Sequence, residues 1–181
     1  DQLSHDLCLN NNPALILVYG ASVYEESDAT HLGIFDIPMI SNIPNLVYLA
    51  PTNKEEYFKM LDWGLNQTEH PVAIRVPVVD VVTTGEEDST DYSILNKSKV
   101  IKKGKDVAII ALSNFYNLGK EIADDLGNVT LINPVYITGL DEELLEKLKK
   151  DHKLVITLED GVLDGGFGEK VSRFYGTSDV K

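Results

Sequence analysis

The chain has 181 residues and a formal charge of −13, which excludes a nucleic-acid binder, because phosphate backbones demand a basic face. Hydrophobic residues make up 43% and charged residues 25%, the balance of a globular protein with a buried core, and no apolar run reaches membrane-span length. A single cysteine, Cys8, excludes an intrachain disulfide or a cysteine-based zinc site and points to a reducing cytoplasm.

In chain order, residues 1–12 place Leu3, Leu7 and Cys8 on one helical face, and this helix stops in the Asn run before Pro13. No signal-peptide pattern opens the chain; because it begins on Asp1 rather than Met, this says nothing about a processed leader. "ALILVY" (14–19) reads as a strand buried on both faces. A loop follows, then a short helix or turn over 35–42, then a second buried strand, "NLVYLA". Thr52 is placed to cap the helix "NKEEYFKMLDWGLNQ", with Glu55 at the capping-box position. Tyr57, Met60, Leu61, Gly64 and Leu65 form its apolar face, and "PVAIRVP" is a third strand. Strand, helix, strand predicts a parallel sheet with crossover helices.

Residues 79–96 hold five acidic residues and no basic one, and read as an exposed connection. The second half repeats the grammar: strand "DVAIIAL", helix "NLGKEIADDLG", strand "NVTLINP", helix "DEELLEKLKKD", strand "KLVITLED", and a glycine turn into the helix "GGFGEKVSRFYG". The expected fold is α/β, with two domains at 1–80 and 98–181 and an acidic linker at 81–97. Each domain is expected to hold a mostly parallel sheet flanked by helices.

Several motifs fail on chemistry. The glycines after "LVITLED" follow a strand, but Glu159, Asp160 and Asp164 would repel a phosphate, so a tight turn for helix–sheet packing is the better reading. His5, His70 and His152 have no partner at metal-ligand spacing, so no metal site is expected. No serine sits in a nucleophile elbow, and Cys8 belongs to the core. His31 remains, in "SDATHLGIFDIP", flanked by Asp28 and Asp36, in the loop beyond a strand's carboxyl end where open α/β sheets place their sites. An imidazole there can exchange protons near neutral pH. On residues alone, both a catalytic and a plain surface histidine remain open.

"DQLSHDLCLNNNPALILVYGA", "THLGIFDIPMISNIPNLVYLAPTNKEE" and "PVAIRVP" come in the order and spacing of the pyrimidine-binding domain of the transketolase family. They most resemble its 1-deoxy-D-xylulose-5-phosphate synthases. "DVAIIALSNF", "LINPVYITGLDEE" and "VITLEDGVLDGGFGEKV" resemble the family's carboxyl-terminal domain. The markers are the Thr30-His31-x-Gly33 loop and Glu159 followed by Gly165-Gly166-x-Gly168. This resemblance implies a cytoplasmic, homodimeric transferase that uses thiamine diphosphate and Mg2+ to move a ketol unit from a 2-oxo acid or ketose to an aldehyde. By the same resemblance His31 is catalytic and Asp28 and Thr30 contact substrate. The main cofactor-binding residues and the metal site are expected upstream of Asp1, so that these 181 residues alone would be inactive.

The chain also departs from that pattern. Where the synthases carry arginines, it has Gly20 (in Tyr19-Gly20-Ala21-Ser22) and Val78 (in Arg75-Val76-Pro77-Val78). The acid expected before Thr30 is displaced from Ser27 to Asp28. An altered acceptor is one consequence; a non-catalytic or regulatory homologue and the β subunit of a 2-oxo-acid dehydrogenase are the alternatives.

Overall fold

The computed structural model describes residues 1–23, 30–78 and 81–181. After a short π-type helix at Leu3–Cys8, the first half runs β1 (Ala14–Val18), α1 (Asp36–Ile40), β2 (Val47–Leu49), α2 (Lys54–Asn66) and β3 (Pro71–Arg75). The second runs β4 (Lys99–Lys102), β5 (Asp106–Ala111), a 3-10 turn at Ser113–Phe115, α3 (Tyr116–Leu126), β6 (Thr130–Asn133), α4 (Glu142–Asp151), β7 (His152–Leu158) and α5 (Phe167–Tyr175).

The first sheet is parallel, in the order β1-β3-β2. Its central strand β3 is buried at all five positions, as a strand between two others must be. The edge strand β1 is only half-buried along its length, contrary to the expectation of burial on both faces. An apolar run does not distinguish a central strand from an edge strand; pairing does. The second sheet has the order β4-β6-β5-β7, parallel except for β4. β4 was not foreseen in the sequence: it is a four-residue edge strand with an irregular register, and its Val100 and Ile101 are exposed.

The cap of α2 lies one residue later than expected. Asn53, not Thr52, accepts the Glu56 N–H at 2.8 Å. Glu56 reaches back to the Thr52 N–H and hydroxyl, both at 2.9 Å. The shift has a tertiary cause: the buried Glu56 carboxylate also meets Lys99 Nζ at 2.7 Å and the Asn133 amide at 3.0 Å. Glu55, released from the cap, accepts the N–H groups of Thr84 and Gly85 and so ties down the acidic connection. That connection is not exposed throughout, since Tyr92 is fully buried and its hydroxyl donates to Asp88. Leu65 is exposed, so the apolar face of α2 ends at Gly64.

The two halves share their cores. One cluster joins Cys8, Ile37, Tyr48 and Ala73 to Ile110, Ile132, Ile137 and Phe167. A second joins Val47, Leu49, Met60 and Ile74 to Tyr92, Val135 and Tyr136. The segment after β6 also pairs with β2, through Ala50 N–H to Val135 O and Ile137 N–H to Tyr48 O, each 2.8 Å. No helix among the described residues is long and apolar enough to cross a membrane.

Candidate active site

The carboxyl ends of β1 and β3 lie side by side, with Val76 N–H donating to Val18 O at 2.9 Å. Beyond β1 the chain turns through Gly20, at φ +69°, into the buried Ala21 and Ser22. The segment carrying Thr30 and His31 returns across this turn. Gly33 makes the crossing possible: a Cβ there would stand 2.0 Å from Gly20 O and 2.9 Å from Ala21 Cα. Glycine is required by the close approach of two backbones. Thr30 and His31 are thereby presented at the surface, with Thr30 Oγ1 2.6 Å from His31 Nδ1. Asp28 lies outside the described residues.

Asp36, the other acid near His31 in sequence, is drawn into a different constellation. Its carboxylate accepts the Tyr48 hydroxyl at 2.5 Å and Arg75 Nε at 2.9 Å. Arg75, the last residue of β3, is fully buried and also donates to Asp160, which follows β7. Asn114 completes the group with its Nδ2 2.8 Å from Asp160 Oδ2. Burial by itself would lower the Arg75 pKa, but Asp160 and Asp36 overcome it and push it above the ordinary range. Burial, reinforced by the Asp36 charge, pushes the Tyr48 phenol up. Arg75 is therefore a fixed cation whose charge is spent inside the fold.

In the sequence, Asp160 stands out only as a charge against phosphate and Arg75 only as a neighbour of Val78, while Tyr48 and Asn114 carry no signal. One signal was available: an arginine inside the apolar run "PVAIRVP" must find an anion if the strand is buried.

In the glycine turn before α5, the place where an anion would meet the helix start is taken by a carboxylate of the chain itself. Glu159 fills that place, its carboxylate accepting the N–H groups of Phe167 at 2.9 Å and Gly168 at 2.7 Å. Gly166 and Gly168 leave it room, since a Cβ at either would lie 2.9 or 3.1 Å from Glu159 Oε1.

The transketolase pyrimidine-binding domain model matches residues 1–81, and the transketolase C-terminal domain model matches residues 96–180. The chain belongs to the transketolase family. Among its curated relatives, the 1-deoxy-D-xylulose-5-phosphate synthase of Lachnoclostridium phytofermentans is 35% identical over 96% of this chain and 28% of the relative. That of Pseudoalteromonas translucida is 34% identical over 98% of this chain and 28% of the relative. The chain thus spans between a quarter and a third of the length of these relatives. A solved split-gene transketolase, described as an inactive β4 tetramer, matches with a TM-score of 0.76 at 21% identity, over 98% of this chain and 57% of that one. At that identity the likeness carries the fold: two transketolase-type α/β domains.

Proposed function

We propose that this chain is the pyrimidine-binding and carboxyl-terminal part of a thiamine-diphosphate-dependent enzyme that transfers a ketol unit to an aldehyde, in the manner of the synthases it resembles. The observation that carries the reading is the Thr30–His31 pair, exposed beyond the carboxyl end of β1 and held there by the Gly33 crossing. His31 exchanges a proton with a hydroxyl or carbonyl oxygen of the substrate through Nε2, while the Thr30 hydroxyl engages Nδ1. That hydroxyl can donate to Nδ1 or accept from it, so the pair suits a histidine that both gives and takes a proton. Thr30 and Asp28 are assigned as substrate contacts.

The cofactor, when bound by the whole enzyme, supplies the electron sink. The described residues do not fit its magnesium–diphosphate end. Among them no three His, Cys, Asp or Glu side chains gather as a metal site, and Arg75 is held by two aspartates. These 181 residues by themselves are expected to be inactive.

The same observation bears on the acceptor. Within residues 18–23, 30–36, 75–78 and 112–116, the only basic side chains are His31 and Arg75. With Arg75 committed, and with Gly20 and Val78 in place of arginines, the site favours an unphosphorylated aldehyde over a sugar phosphate.

The deciding experiment assays the whole natural protein with a 2-oxo acid, thiamine diphosphate and magnesium, comparing glyceraldehyde with glyceraldehyde 3-phosphate. The unphosphorylated aldehyde is expected to be preferred. His31→Ala is expected to lower turnover roughly 10²–10⁴-fold while cofactor binding survives. Efficient use of the phosphorylated acceptor would overturn the acceptor assignment, and unchanged turnover in the variant would remove His31 from the mechanism. A homodimer belongs to the same proposal: Tyr19, Phe35 and Met39 are exposed at 70%, 56% and 71% near the site, apolar area that a second copy would cover. Light scattering showing only monomer at micromolar concentration would refute it.

A further inference from the structure

The second sheet has a topological switch point at β5, which lies between β6 on one side and β7 on the other. In open α/β sheets the crevice outside the strand ends at such a point is where ligands bind. In this chain the first half enters that crevice. Arg75 reaches Asp160 after β7, and Asn114, in the turn after β5, makes three contacts. Its Nδ2 donates to Asp160 Oδ2 at 2.8 Å and to Ala21 O at 3.3 Å, and its Oδ1 accepts the Val78 N–H at 3.4 Å.

The two backbone partners carry the argument. Ala21 follows Gly20, and Val78 is itself the second position at which the synthases carry an arginine. Both departures therefore border backbone held by one side chain from the other half. The turn is made to hold that side chain in place. Ser113 adopts φ +46°, in the left-handed region, while 3% exposed, and its hydroxyl donates to Pro51 O at 3.3 Å. Such strain persists only where the surroundings over-determine it.

We infer that Asn114 is a positioning residue for the acceptor mouth, clamping the backbone at Ala21 and Val78 from the second half of the chain. What passes the mouth rests on the ketol-transfer reading; the clamp itself does not. The amide orientation follows from its partners, because Nδ2 faces two acceptors and Oδ1 faces one donor. Aspartate is thus no substitute: it would lose the donor and set a carboxylate against Asp160.

The test uses Asn114→Ala and Asn114→Asp in the whole natural protein. The acceptor KM is expected to rise roughly 3- to 10-fold in Asn114→Ala and further in Asn114→Asp, while decarboxylation of the 2-oxo-acid donor alone keeps its wild-type rate. Hydrogen exchange at the Val78 N–H and through residues 19–23 is expected to quicken in both variants. An equal loss in both half-reactions, or unchanged exchange in these segments, overturns the proposal. If the wild-type protein transfers no ketol unit, the functional reading fails instead, and the exchange measurement alone decides the clamp.

Discussion

Gly20 and Gly33 show how differently two glycines can be required. At Gly33 the obstacle to a side chain is backbone, which cannot move aside. At Gly20 nothing lies within 4 Å of an added Cβ, and the constraint is φ +69° alone. An arginine at Gly20 would have room for its Cβ but would meet a backbone that L-residues disfavour. Lys170 poses a residue-scale question of its own. Its ammonium donates to Ser41 Oγ and Ile137 O, each at 2.9 Å, with no carboxylate among its hydrogen-bond partners in the described residues. Burial, then the nearby Arg173 charge, lowers its pKa to about 8, against a smaller opposing pull from Glu159. The sign follows from linkage. Below pH 8 both folded and unfolded states bind the proton, and between about 8 and 10.5 the unfolded state binds more, so stability rises with pH across that window. Urea denaturation at pH 7.5 and 10 should show the wild type gaining on Lys170→Met; a constant difference between the two would contradict this.

Among the helices, the start of α5 is set by an anion from outside the helix, whereas α2 and α4 are capped by the side chains of their own N-cap residues, Asn53 and Asp141. The N-cap of α5, Gly166, has no side chain to offer, and Glu159 supplies the missing acceptor from across the turn. Glu159→Ala is expected to cost about 1–2 kcal/mol, the value of a lost N-cap, and to loosen the first turn of α5. Chemical denaturation together with hydrogen exchange at Phe167 and Gly168 checks this, and unchanged exchange there would count against it. The Asn53 cap of α2 is local, but its frame is chosen by distant partners. The local pattern around residues 52–56 allows two capping frames, and the need of Lys99 and Asn133 for the Glu56 carboxylate selects one.

For the whole molecule, Arg75 is the joint. Its guanidinium binds Asp36 of the first half and Asp160 of the second, between hydrophobic clusters that already cross the boundary. Arg75→Leu leaves the Asp36 and Asp160 carboxylates without their shared cation and is expected to cost about 3–5 kcal/mol. Because the core is shared, the wild-type chain is expected to unfold in one calorimetric transition. Two separate transitions in the wild type, or a negligible loss in the variant, would show the halves to be independent.

Legible in the residues alone were the alternation of strands and helices, the α/β class, the burial of Cys8 and the Thr30-His31-x-Gly33 loop. These are local properties: a 3.6- or 2-residue period, a glycine after a helix such as Gly127, an apolar run closed by a turn. The residues alone did not reveal the half-exposed edge position of β1, the irregular strand β4, the capping frame of α2 or the Arg75–Asp36–Asp160–Asn114 group. Each of these depends on partners far apart in the chain: β1 and β4 on which strand sits beside them, Glu56 on Lys99, Arg75 on an acid 85 positions later. Periodicity reports which face of an element is apolar. Which element covers that face, and which charge meets which, is decided only when the two sheets bring their strand ends together.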